Sequence, residues 1–540
     1  MDSNIESYLN TLDVSYETDN PSNEKIIKYA VVEKEKIYDV IKNLKENFKY
    51  DHLAFITAVE QKNFMEVIYC LYSYEKKENL FLKVKLPFEN LEIQSISDIY
   101  NSADWHERET YDLFGIKFNG HKNLRRILLP ETFEGHPLRK NYKLDYEQEL
   151  IFDKEQELTE NHLNPADIQN NYETKILHLN MGPHHPSTHG VLRLRLLIDG
   201  EKIVKVYPVL GYLHRGIEKI CENLNYNQIV PYFDRLDYVA AVLNEFPYVL
   251  AVEKLMNLEV PKKAQYIRVL MAELSRIASH LIWIATWPMD LGATTPFFYA
   301  FREREKILEI FEKIARGRLM LNYFKIGGVK RDISEKALDK IYEFVDLMPE
   351  RLKEYHELLT GNEILIGRAK GIGILKKEDA INFGVTGPML RASGVEYDIR
   401  KAEPYSSYDE FKFDIPVVNG KNSGDNMARY IVRMREIEES IKIIKQAADK
   451  IKDLKEEISA KVPALIVPPK GSAYAKVEHA KGEMGVFIVS DGTMKPYRLK
   501  IRSPSFCNLS VISKICENNY VADVVAIAGT IDPVMGCVDR

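Results

Sequence analysis

Hydrophobic and polar residues change their rhythm several times along this chain, and each change marks an element. Up to about Tyr146 the pattern is that of one α+β unit. Ile26–Val32, Met65–Tyr74 and Phe81–Leu86 carry the β-branched and aromatic residues of strands. Glu35–Phe48 repeats its apolar positions at helical spacing, and Asp98–Leu113 resumes that spacing. From Lys175 to about Leu210 the residues alternate. Val191, Leu192, Leu194, Leu196 and Ile198 run into Asp199-Gly200, a two-residue hairpin signal, and Ile203, Val206 and Val209 continue on the return strand. Helical spacing dominates from Tyr212 to about Lys325 and again over Ser334–Thr360 and Asn426–Leu454. The end returns to β and turn character, with strands predicted at Val486–Val489 and Tyr497–Ile501.

Between the two patterned regions, Asp145 to Asn171 is rich in Glu, Asn and Asp and has no apolar periodicity. It reads as a linker. The predicted organisation is an N-terminal α/β-sheet domain over 1–145, a linker over 146–172 and a mainly α-helical domain with a small N-terminal β-sheet over 173–540. The fold class is α+β. A composition shift between two ordered units suggests the fusion of once-separate chains.

Composition narrows the function. Of the 540 residues 45% are hydrophobic and 29% charged, which is ample for a globular core. A net charge of -6 gives no support to nucleic-acid binding, which needs a concentrated basic face. The cysteines, Cys70, Cys221, Cys507, Cys516 and Cys537, form no C-x-x-C pair. Their odd number argues against a disulfide framework and fits a reducing, cytoplasmic setting. The start, Met1-Asp2-Ser3-Asn4-Ile5-Glu6, is not that of a signal peptide. The most apolar stretch, Leu281 to Phe301, contains Pro288, Asp290 and Pro296. Its length and charge predict a buried core helix followed by a loop, so membrane association is expected to come through partners.

Candidate chemistry gathers in a few places. Met181–Gly190 sets His184, His185 and His189 among prolines and glycines just before a predicted strand. Histidine titrates near neutrality and suits proton transfer. Loop packing is the competing reading, and zinc lacks further ligands at the right spacing. Tyr238 follows Asp234, Arg235 and Asp237 on a predicted helix, where spacing alone favours a core tyrosine with a bonded hydroxyl. Asp290, set between apolar residues, needs a partner. It either caps the following turn or orients an imidazole. Arg215 and Arg235 form ordinary ion pairs or sit beside an anionic group in a partner. Arg302-Glu303-Arg304-Glu305-Lys306 reads as a solvated or inter-subunit helix face.

Several of these segments together resemble the quinone-site subunit of respiratory complex I. They are Asn180–Gly190, Gly211–Gly216, Pro231–Tyr238, Ala251–Leu255, Asp290–Ala293, Gly387–Gly394, Tyr497–Arg502 and Asp532–Arg540. Glu107-Arg108-Glu109, Asp112–Ile116, Leu124–Leu128 and Gly135–Lys140 are similar to a second, smaller hydrophilic subunit of that complex. The chain as a whole thus resembles the fused C–D subunit of some bacteria, an NADH:quinone oxidoreductase component.

The resemblance implies that His189 and Tyr238 bind the quinone headgroup and protonate it on reduction, with Asp290 the partner of His189. It places Arg215 and Arg235 near the terminal Fe–S cluster, which a neighbouring subunit holds. No metal or cofactor is expected on this chain itself. The expected partners are that Fe–S subunit, other complex I subunits including those of the membrane arm, and quinone. The expected location is peripheral, on the cytoplasmic side of the cell inner membrane, in a proton-pumping enzyme.

Departures from the family pattern are His184 in a glutamine place, Gly120-His121-Lys122, and Met320 in the place of a histidine thought to tune the cluster. The larger domain also resembles the large subunit of nickel–iron hydrogenases. That alternative activity is disfavoured because Arg235–Val239 occupies the place of the first cysteine pair and only Cys537 remains of the second. A pure scaffold is the non-enzymatic alternative. It fits the N-terminal unit best, which carries no convergent acid–base set.

Overall fold

The computed structural model describes residues 8–9, 14–18, 20, 22–146, 148, 176–183, 190–421 and 423–540. Its N-terminal unit is built on a five-stranded sheet of β1 (Ser15–Glu17), β2 (Tyr29–Val31), β3 (His52–Glu60), β4 (Phe64–Ser73) and β5 (Glu78–Pro87), in the order β1-β2-β5-β4-β3. Only the β2–β5 pair is parallel. The helix Ile37–Phe48 buries Ile37, Val40, Ile41 and Leu44, the one-sided stripe its spacing predicts. Strand β3 is not among the predicted elements. It is buried on both faces, so its sequence is a near-continuous apolar run without alternation. One side packs in a core that the N-terminal residues share with Leu194, Met389 and Phe506 of the larger region. From the other, Phe55 joins Cys70 and Phe81 against Tyr474 and Phe487 of a sheet far along the chain.

Leu177–Met181, Arg193–Asp199 and Lys202–Val209 form a three-stranded antiparallel sheet with Arg193–Asp199 in the middle. Asp199 pairs with Lys202, so the hairpin loop is Gly200-Glu201, one residue later than predicted. Gly200 supplies the positive φ, +61°, that the turn requires.

The centre of the larger region is the helix Lys262–Asp290, packed against Thr295–Ala315 and Asn426–Asp453, with Glu335–Tyr355 laid across the last two. By length and composition Lys262–Asp290 is apolar enough to cross a membrane, yet 89% of its most apolar window is buried inside the protein. Leu281–Phe301 is therefore a helix end, a short turn and the start of a second helix, rather than a helix followed by a loop. Glu303 and Arg304, expected on a solvated or inter-subunit face, are buried. Glu303 accepts hydrogen bonds from Arg302 Nε at 2.7 Å and from the Tyr355 hydroxyl at 2.7 Å.

A second antiparallel sheet, Gly471–His479, Gly482–Ser490 and Arg498–Arg502, lies between the aromatic face of the N-terminal sheet and the helix Ala241–Leu255. After it come the short helices Pro504–Leu509, Ile512–Cys516, Asp523–Ile531 and Met535–Asp539, where β and turn character is expected. These helices are buried nearly all round, so their sequence shows neither alternation nor a single apolar stripe. The α+β class agrees with the sequence reading.

Candidate functional site

Tyr238 stands on a turn, not on the predicted helix. The helix Tyr226–Asp234 opens with a capping box between Asn225 and Gln228, and the next helix begins at Ala241. Asp237 breaks the helical course between them. Its Oδ1 accepts from the Val239 amide at 3.1 Å, and its carbonyl accepts from the Ala240 amide at 3.1 Å and from Asn244 Nδ2 at 2.8 Å. Such local side-chain bonding competes with helix formation. The turn sorts its residues cleanly. Asp234, Leu236 and Asp237 point inward, while Arg235 is exposed and Tyr238 keeps 42% of its surface open.

Two distant segments close on this turn. Arg215 donates through NH2 to the Arg235 carbonyl at 2.8 Å, and its backbone amide donates to the Arg540 carbonyl at 3.2 Å. Asp539 accepts from the amides of Gly211 and Leu213 at 3.0 and 2.8 Å. The motifs at 211–216, 231–238 and 532–540, distant in the chain, thus share one place. Burial and the neighbouring Arg235 cation both lower the affinity of Arg215 for its proton. Two guanidiniums held this close suit an anionic neighbour.

Behind Arg235, Asp234 accepts from the Asn322 amide at 2.8 Å. Glu245 accepts from the Phe324 amide at 2.6 Å, and burial with the nearby Asp234 pushes its carboxyl well above the usual range. Met320 is two residues from Asn322, so its loop lies against the Arg235 turn. The Tyr238 hydroxyl is raised above the usual phenol range, by burial first and by the Asp237 charge second. It therefore stays protonated at neutral pH.

Asp290 ends the long helix, half-buried and engaged by a neighbour. It follows the buried Trp287, whose indole donates to the Ala526 carbonyl at 3.1 Å. His189 lies outside the described residues, as do His184 and His185, so its expected pairing with Asp290 is not described. Among the described residues, no group of three or more His, Cys, Asp or Glu side chains is placed to hold a metal ion.

The sequence reading misses two sets of residues here. His479 Nε2 lies 3.8 Å from Asp237 Oδ2, Lys481 pairs with Asp532, and all three are buried. The N-terminal unit also converges on the site's back. Glu109 Oε1 receives Lys500 Nζ at 2.5 Å and Arg540 NH1 at 2.9 Å, and His106 Nε2 lies 3.8 Å from Cys507 Sγ. That unit therefore does join an acid–base cluster, whose nearest partner in sequence lies 391 residues along the chain.

Comparison with known proteins bears on these motifs. Residues 290–540 match the family "Respiratory-chain NADH dehydrogenase, 49 Kd subunit", and residues 30–148 match "Respiratory-chain NADH dehydrogenase, 30 Kd subunit". The chain is 40% identical to the second NADH-quinone oxidoreductase C/D subunit of Aquifex aeolicus, over 93% of each chain. It is 39% identical to the corresponding C/D subunit of Hydrogenobaculum sp., over 96% of each. This chain belongs to the family of NADH-quinone oxidoreductase C/D subunits. The D subunit of Geobacillus kaustophilus, 51% identical, matches 68% of this chain and 99% of its own length, so this C/D chain contains the counterpart of a separate D subunit. A C/D subunit is one part of a multisubunit oxidoreductase, and the hydrogenase alternative is not favoured.

Proposed function

We propose that this C/D subunit forms the quinone-headgroup site of a proton-pumping NADH:quinone oxidoreductase and protonates the reduced quinone. The observation that carries the reading is Tyr238: an exposed, firmly protonated phenol on a turn clamped by Arg215 and the C-terminal segment. Reduction of a quinone takes two electrons and two protons, and paired donors at its two carbonyls suit that need. Tyr238 supplies one proton and His189 the other, with Asp290 orienting the His189 imidazole. Arg215 and Arg235 face the Fe–S cluster of a neighbouring subunit, which supplies the electrons. Their paired cations fit such an anion, and this chain has no cysteine pair with which to ligate a cluster itself.

Residues 1–145 then make up the C-type unit, 146–172 the linker and 173–540 the D-type unit. The protein sits peripherally on the cytoplasmic side of the membrane, bound to the Fe–S subunit and to membrane-arm subunits. The test is Tyr238→Phe in the assembled complex. Quinone reduction falls on the order of a hundredfold or more, as for loss of a general acid. Electron transfer from NADH to a water-soluble acceptor, which bypasses the quinone, persists. Undiminished quinone reduction overturns the reading.

A further inference from the structure

A cavity of about 490 Å³, which shares no residue with the Tyr238 turn, opens on the seam between the two units. Three segments distant in the chain form its wall. The N-terminal unit contributes Lys140, Tyr142 and Lys143. The helix Ile217–Cys221 brings Lys219, and Glu222 follows it. The turn between the strands Gly482–Ser490 and Arg498–Arg502 adds Asp491 and Lys495.

Four lysines against two acids leave the wall with a surplus of positive charge. Both acids are already engaged. Glu222 Oε2 accepts from Lys140 Nζ at 2.8 Å, and Asp491 Oδ1 accepts from the Thr493 hydroxyl at 2.7 Å and the Thr493 amide at 3.1 Å. Among the described residues, Lys143, Lys219 and Lys495 form no ion pair. Lys219 matters most, because it is only 7% exposed and its ammonium donates to the Arg139 carbonyl at 2.8 Å. A carbonyl satisfies one of the three N–H groups and none of the charge. Burial loosens the hold of Lys219 on its proton, and the Glu222 charge only partly restores it. Glu222 Oε1 is also buried, without a hydrogen-bond partner, 3.7 Å from Arg498 NH1. A buried cation and a buried acceptor left open in one wall are costly unless a ligand completes them.

The donor set narrows the ligand. An ammonium is a compact point charge that meets phosphoryl oxygens from any side, whereas planar carboxylates are matched by the arginine fork. Among the described residues no arginine lines the cavity. Its volume falls in the range of small-molecule sites and leaves room beyond a phosphate group.

We propose that this cavity binds a phosphorylated small molecule that also carries hydroxyl groups, as nucleotides and sugar phosphates do. Lys219, Lys143 and Lys495 hold the phosphoryl oxygens, and Glu222 Oε1 accepts from a ligand hydroxyl. The ligand neutralises Lys219 and ties the N-terminal unit to the larger one. No covalent bond forms or breaks.

The test titrates the purified full chain by calorimetry with pyrophosphate, ADP and the dicarboxylate succinate. Pyrophosphate and ADP each saturate one site, ADP more tightly, and succinate binds at least about tenfold more weakly than pyrophosphate. Lys219→Met keeps an apolar stem of similar length, and Lys495→Ala lies on an exposed turn. Each weakens both phosphates by roughly tenfold or more, as for loss of a charge-assisted hydrogen bond. If Lys219→Met fails to fold, Lys495→Ala decides. No saturable binding of either phosphate overturns the site, and so does parent-like affinity in Lys495→Ala. Succinate that binds as tightly as pyrophosphate overturns the phosphoryl preference, and ADP weaker than pyrophosphate overturns the hydroxyl-bearing class.

Discussion

Glu273 and Asp237 are both completely buried carboxylates, and burial pushes both toward the neutral form, yet they end on opposite sides of their ordinary values. Glu273, on the central helix, accepts from Arg276 Nε at 3.1 Å, Arg400 NH1 at 3.1 Å, the Tyr408 hydroxyl at 2.6 Å and the Ser440 hydroxyl at 2.6 Å. Against the penalty of burial, the Arg276 and Arg400 charges and the two hydroxyls pull it down to about 2. Asp237 has one oxygen bonded to a backbone amide and the other facing an imidazole at 3.8 Å, and burial lifts it to about 6. In a low-dielectric interior the number and charge of the donors decide whether a carboxyl stays ionised. The first arrangement builds a core; the second leaves a group that titrates near physiological pH.

The comparison breaks most visibly at Glu273. Glu273→Gln leaves Arg276 and Arg400 short of a counter-charge and destabilises the full chain by about 3–5 kcal/mol. Unfolding followed by the emission of the stacked, buried Trp283 and Trp287 reads this directly. An unchanged midpoint refutes the structural role.

Acid titration gives the next effect. The folded-state value of Glu273 is depressed, so its stabilisation is complete above the unfolded value near 4.3 and is lost as pH falls toward 2. At about 1.4 kcal/mol per unit, roughly 3 kcal/mol disappears across that window. Glu273→Gln removes this part of the acid sensitivity, and equal slopes of stability against pH in parent and variant would contradict it.

Asp237 carries the opposite sign. Its folded-state value is raised, so the folded state favours the acid form, and stability is lost as pH rises from about 4 through 6. Asp237→Asn cannot ionise, so its stability relative to the parent improves between about pH 4 and 7, by up to ~3 kcal/mol less the cost of an amide donor facing His479 Nε2–H. A relative stability that does not change with pH sinks this prediction. The smallest effect belongs to Tyr238→Phe. The ring is 42% exposed, and the change shifts stability by less than about 0.5 kcal/mol while quinone reduction is lost. A large stability loss there would return Tyr238 to the role of a packing residue.

Much of this is legible in the sequence, for reasons that can be named. Ile37–Phe48 and Asn426–Asp453 lie within two residues of their predicted bounds, and Glu335–Tyr355 starts where its pattern does, because each has a buried side and a wetter one. Strand β3 and the helices after Arg502 escape prediction because they are buried on every side, which erases the period that reveals an element. Arg215, Arg235 and Tyr238 stand out in local motifs, and folding brings them together. His479 and Lys481 sit in an ordinary β-hairpin, and no local signal marks them.

By itself, then, the sequence determined the α+β class and the family, because periodicity and motifs are properties of neighbouring residues. The tertiary structure alone decided that Tyr238 lies on a turn and that Glu109 reaches Lys500. It also decided that Asp237 meets a histidine without closing a hydrogen bond. A pair potential between buried charges depends on separation in space and on the water excluded around them, and neither is written in the spacing of residues along the chain.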